Sequence, residues 1–177
     1  MTATSQNSPV RWKSLAGIGL VLLLVYGLIN FGAAIGVPMA LEASGGQGGG
    51  DSGVMIARGP EEFLLGTTYA QLHTSNPKLD KLLVDSMLGM CSQMMALAIA
   101  YLAIVWFAAR RGARWAPWVL LVSGVIWVPY YFIIASDMTA LGASGAYAAA
   151  RMVALFAIPA LLGAALMIAG RDRGATQ

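Results

Sequence analysis

The chain has 177 residues, the size of one domain, and 58% of them are hydrophobic against 11% charged, with a mean hydropathy of +0.70. That composition excludes a soluble core of this size and makes lipid the solvent for most of the chain. The formal charge of +3 and pI near 9.2 come without a concentrated basic tract, which argues against a nucleic-acid partner.

A spanning helix needs about 20 mostly apolar residues to cross roughly 30 Å of hydrocarbon. Four stretches qualify, approximately 14–37, 84–108, 115–136 and 149–169. None has a charge near its middle, where one would cost about 2.5–3.5 kcal/mol. The expected fold is therefore all-α: an up-down-up-down four-helix transmembrane bundle over residues 14–170, between short tails at 1–13 and 171–177. In the first stretch, Arg11 and Lys13 precede the apolar run and Gly32-Ala33-Ala34 resembles a cleavage site. The run exceeds the roughly 7–15 residues of a signal peptide, so an uncleaved span is expected.

The connection 38–76 is long, and exposed function is expected in or under it. Its residues Ser44 to Gly53 read as a flexible glycine-rich linker; a phosphate-cradling loop would need a following Lys-Ser/Thr, which is absent. Pro60-Glu61-Glu62 then has the character of a helix N-terminus, with Phe63, Leu64, Leu65, Tyr69 and Leu72 as a loose apolar face, so a short cap helix is predicted. Asn76-Pro77 supplies an N-cap and an N1 proline, placing the start of the second long helix above its membrane entry.

On that second helix Met87, Met90, Cys91 and Met94 share one stripe, and soft thioether and thiol ligands select Cu(I). Methionine also fills apolar interfaces without any metal. The single histidine, His73, excludes bis-histidine haem ligation within one chain and reads either as an acid-base group or as a solvated loop residue. Cys91 has no second cysteine to pair with, and an apolar setting disfavours its thiolate.

Small residues supply the expected helix contacts: Gly32 to Gly36 as a GxxxG match, the face Ser86, Gly89, Gln93, Ala96 and Ala100, and the group Ala157, Ala160, Gly163 and Ala164. Pro129 and Pro159 should each kink a helix. Asn30, Gln93 and Ser123 are expected to face the bundle interior, and Asp85, Asp137 and Arg151 to ring the outer ends, with Asp137 paired to Arg151. Asn30, Asp85, Gln93, Asp137 and Arg151 would rim a pocket for an apolar ligand such as a lipid or quinone, the alternative being interhelical glue and interfacial ion pairs.

Charge sets the expected orientation. Arg11, Lys13, Arg110, Arg111, Arg114, Arg171 and Arg173 fall on one side, and only Arg58, Lys78, Lys81 and Arg151 on the other. The excess places both termini and the Arg110–Arg114 turn in the cytoplasm. Seven of the eight acids fall on the opposite side, together with His73 and the long connection, so chemistry is expected to face outward.

The segment Trp106-Phe107-Ala108-Ala109-Arg110-Arg111-Gly112-Ala113-Arg114-Trp115-Ala116, with Asn76-Pro77-x-Leu79 upstream, resembles small bacterial four-helix membrane proteins grouped near the DoxX-like proteins, over roughly the last hundred residues. The first span departs from that pattern. The resemblance implies a four-helix architecture and, more distantly, redox or quinone-linked chemistry. Taken together, the chain reads as a non-enzymatic accessory subunit of a membrane complex, or a homo-oligomer, or a binder of an apolar ligand. A membrane oxidoreductase or copper-handling protein is the alternative, and a small transporter comes third, because central charges and an internal repeat are both missing.

Overall fold

A computed structural model describes residues 10–43 and 57–174; the glycine-rich linker reading falls outside them. The chain is an all-α four-helix membrane bundle, with no strand among the described residues. The elements are α1 (Leu15–Ala43), α2 (Arg58–Leu65), α3 (Tyr69–Ser75), α4 (Pro77–Ile104), α5 (Ala116–Val125), α6 (Val128–Ala140), α7 (Ala146–Ala154) and α8 (Ile158–Gly174). A π-helical turn, Val105–Ala109, continues α4, and a 3-10 turn, Leu155–Ala157, joins α7 to α8.

Four lengths are apolar and long enough to cross a bilayer: Leu15–Leu41, Pro77–Ala109, Ala116–Ala140 and Ala146–Gly170. Each contains most of one predicted stretch. The second runs for 33 residues, about 50 Å, which exceeds the roughly 30 Å of hydrocarbon and leaves its first turns above it. Asn76 caps that helix, its Oδ1 accepting from the Leu79 N–H at 3.2 Å.

The prolines act as expected at two of three places. The third span divides at Ile126–Trp127, with Pro129 in the first turn of α6, and the fourth passes through a 3-10 turn just before Pro159. Pro38 differs: the first span was expected to end before it, yet α1 continues to Ala43. In lipid a helix is the cheapest way to satisfy backbone groups, and a missing proline N–H is tolerated there.

The chain packs as two compact units. The first comprises, among the described residues, 10–29, 97–126 and 157–174. Its core is Leu20, Leu23, Tyr26, Tyr101, Val105, Ala109, Ala116, Leu120, Ala160, Ala164 and Met167. Alanines are numerous in it, whereas Ile18, Val25, Trp118, Val122, Leu161 and Leu162 point outward. A core that mixes alanines with leucines and tyrosines, beneath an exterior of large apolar residues, suits a lipid surround in which close backbone approach supplies part of the attraction. The α1 and α8 backbones approach closely, so that a Cβ added to Gly163 would stand 2.9 Å from the Gly19 carbonyl oxygen. In the same unit the Tyr26 hydroxyl donates to the Gly124 carbonyl at 3.1 Å, covering a backbone acceptor close to the break before Pro129.

The second unit comprises 30–43, 57–96 and 127–156 among the described residues. Ala135, Met138, Ala143, Ala146 and Ala150 form its core, where α6 folds back on α7. The turn between them needs Gly142 and Gly145 at φ +93° and +85°, values that L side chains rarely adopt.

Candidate functional sites

The connection 57–76 folds into two short helices where one was predicted. Gly66, at φ +65°, ends α2, and Thr68 starts α3 with a capping box: its hydroxyl accepts from the Gln71 N–H at 3.2 Å while the Gln71 side chain accepts from the Thr68 N–H at 3.3 Å. The two helices hold a charged cluster. Glu61 is 5% exposed, accepts from the Tyr69 hydroxyl in a very short contact, and accepts from the Ala57 N–H at 3.0 Å. Glu62 accepts from the Tyr69 N–H at 2.9 Å and pairs with Arg58 at 3.3 Å, and the Arg58 guanidinium lies over the Tyr69 ring.

His73 joins α3 to α4, its Nδ1 2.7 Å from Oδ2 of Asp80, which is itself buried. His73 therefore has a carboxylate partner that the sequence did not identify. Sequence reasoning missed Glu61, Tyr69 and Asp80 as a set. The signals were present as Thr68-x-x-Gln71, which marks the second helix, and as the seven-residue spacings from Glu62 to Tyr69 and from His73 to Asp80.

Buried carboxylates are stable only while their oxygens are occupied. Tyr69→Phe removes a donor from Glu61 and is expected to cost the cap about 1–3 kcal/mol. Hydrogen exchange of residues 58–80 checks this, with faster exchange there and no change in the long helices; uniform exchange would count against it.

The predicted ligand residues differ in their surroundings. Asn30 is half-buried on α1. Gln93, expected to face the interior, is exposed on α4, because the buried positions of that helix near it are Cys91 and Ala98. Asp85 pairs with Lys81 at 3.0 Å, one helical turn away. Asp137 and Arg151 are both exposed, and the expected ion pair between them is absent; hydrated groups of this kind gain little by pairing. Of the thioether and thiol stripe, Cys91 is buried, Met90 is 46% exposed, and Met87 and Met94 are half-buried, so the thiol and the Met90 thioether lie in different surroundings. Among the described residues no group of three or more His, Cys, Asp or Glu side chains is arranged to hold a metal ion.

Two small-residue faces are open. Gly32 and Gly36 on α1, and Gly89 on α4, have nothing within 4 Å of an added Cβ, in contrast to Gly19 and Gly163. Around Gly89, Ser86, Gln93 and Ala96 are all exposed, and Ala100 continues the row. The hydroxyls of Ser86 and Ser92 donate to the carbonyls of Leu82 and Gly89 within their own helix. The Gln93 amide makes no such bond among the described residues. Of the faces expected to hold helices together, the one on the fourth span does so, with Ala157 of the 3-10 turn and Ala160, Gly163 and Ala164 of α8 all buried.

The fold and these surfaces define a multi-pass membrane protein. No known protein family, curated protein or solved structure matches the chain.

Proposed function

We propose that this chain is a non-enzymatic accessory subunit of a membrane complex, docking a spanning helix of a partner protein on the Ser86–Gly89–Gln93–Ala96 face of α4. The observation that carries this reading is the open row itself, which lies within a span and includes an amide with no local acceptor. Small residues let a second backbone approach closely, and a side-chain amide facing hydrocarbon is satisfied by bonding across to a neighbouring helix. Leucine and isoleucine would serve better on a surface meant only for lipid, and they occupy several other exposed positions of this helix, such as Leu88, Leu97 and Ile99. The basic-residue count supports an orientation with both termini and the Arg110–Arg114 turn in the cytoplasm, and the α2–α3 cap outside.

Purification in mild detergent followed by native mass spectrometry tests the reading. A retained protein of different mass supports it. A chain that is always alone, or that binds only further copies of itself, contradicts it.

A further inference from the structure

The π-helical turn Val105–Ala109 is the one place among the described residues where a long helix adopts wider winding, with the Arg110 N–H bonded to the Val105 carbonyl and the Ala113 N–H to that of Ala108, both at 3.0 Å. Such turns recur at functional sites because they re-aim side chains relative to an ordinary helix. Val105 and Ala109 are wholly buried and anchor one side of the turn. On the other side Trp106, Phe107, Arg110 and Arg111 line a cleft of about 180 Å³, several times the roughly 30 Å³ that a water occupies in the liquid.

The two arginines are held by the rings four residues before them. The Arg110 guanidinium carbon lies 4.4 Å from the centre of the Trp106 ring and that of Arg111 lies 5.9 Å from Phe107. Stacking occupies the face of a guanidinium and leaves its N–H edge free. Neither arginine forms an ion pair with any described residue. The Arg110 backbone is also fixed, its carbonyl accepting from the Val10 N–H at 3.0 Å. Two pre-oriented cations beside an interfacial tryptophan, around a cleft lined by no carboxylate among the described residues, match a planar or tetrahedral oxyanion.

We infer that Trp106, Phe107, Arg110 and Arg111 form a binding site for a phosphate anion, presented in the membrane as the head group of an acidic phospholipid. The arginine edges bond the phosphate oxygens, and the rings contact the glycerol and upper acyl region. The site is separate from the α4 face and does not rest on a partner protein.

The test uses the full chain in mild detergent, titrated with phosphatidylglycerol or phosphatidylcholine and read by native mass spectrometry. Preferential retention of phosphatidylglycerol is expected, with affinity falling about tenfold or more in R110Q/R111Q and less than about twofold in R114Q. The variant R110K/R111K keeps both charges, and with them the topology signal; it still loses affinity, because an ammonium neither forks nor stacks as a guanidinium does. Thermal melting confirms that each variant is folded. Failure of inorganic phosphate to displace the lipid supports the lipid source, whereas displacement by free phosphate alone assigns the site to a soluble phosphate and overturns that source. Equal retention of the two lipids, or unchanged binding by R110Q/R111Q, overturns the site.

Discussion

Gly19→Leu is expected to lower the unfolding midpoint of the detergent-solubilised protein by about 6–12 °C, and Gly32→Leu to leave it almost unchanged. Both glycines lie on α1, in equally apolar sequence, and differ in what surrounds them. A Cβ at Gly19 would collide with the Gly163 carbonyl oxygen and stand 2.8 Å from the Met167 side chain, whereas nothing lies within 4 Å at Gly32. Overpacking where the neighbour is backbone forces helices apart at a cost of about 1–3 kcal/mol, and more for a side chain as large as leucine. With about 3 kcal/mol lost, and some 2–4 °C per kcal/mol for a protein of this length, the stated shift follows. At the open site, leucine replaces the poorest ordinary helix former, so a small gain is as consistent as no change. Gly163→Leu repeats the first result from the other helix, since its Cβ would meet both the Gly19 carbonyl oxygen and Leu23 at 2.9 Å. Melting followed by circular dichroism distinguishes the two classes; equal shifts at Gly19 and Gly32 would deny that α1 and α8 meet as described.

The second large effect is expected at the α4 face, and it has the opposite signature. Gly89→Leu together with Gln93→Leu should leave the melting of the isolated chain within about 0.5 kcal/mol of the original, since these positions are exposed and Gly89 has no neighbour. Association with the partner helix should fall by more than about tenfold, because the leucine at position 89 holds the partner's backbone away and the amide bond at 93 is lost. Recovery of the partner with the purified chain measures the loss. A simple destabilisation would lower both quantities together, so the separation of stability from association is what identifies a docking surface.

The spans were legible because lipid imposes one rule that short-range sequence expresses directly: about 20 apolar residues, with charges at the ends. The Asn76-Pro77 start of α4 and the proline-associated breaks were legible for the same local reason. What escaped the sequence was partner choice between helices. Gly32 with Gly36 and Gly19 with Gly163 are equivalent as composition, and only the fold decides which pair meets backbone and which stays open. Gln93 illustrates the same limit: in a helix whose residues are apolar on every side, no amphipathic stripe announces the buried face. The cap cluster was half legible, since Gly66 and Thr68-x-x-Gln71 mark a helix break, but the meeting of Glu61 with Tyr69 depends on how the two short helices fold onto each other.

The proposed docking of another protein on the α4 face can be tested within the membrane itself. A single cysteine placed at Gln93 in a Cys91→Ala background, cross-linked in native membranes by a short thiol-to-amine or photoactivatable reagent, tests it without detergent. A discrete adduct heavier than a dimer of the chain, or distinct from it in composition, is expected, and it should be lost when the cysteine is moved to the exposed position Ile133. Labelling of lipid alone at position 93, with no protein adduct, would contradict it.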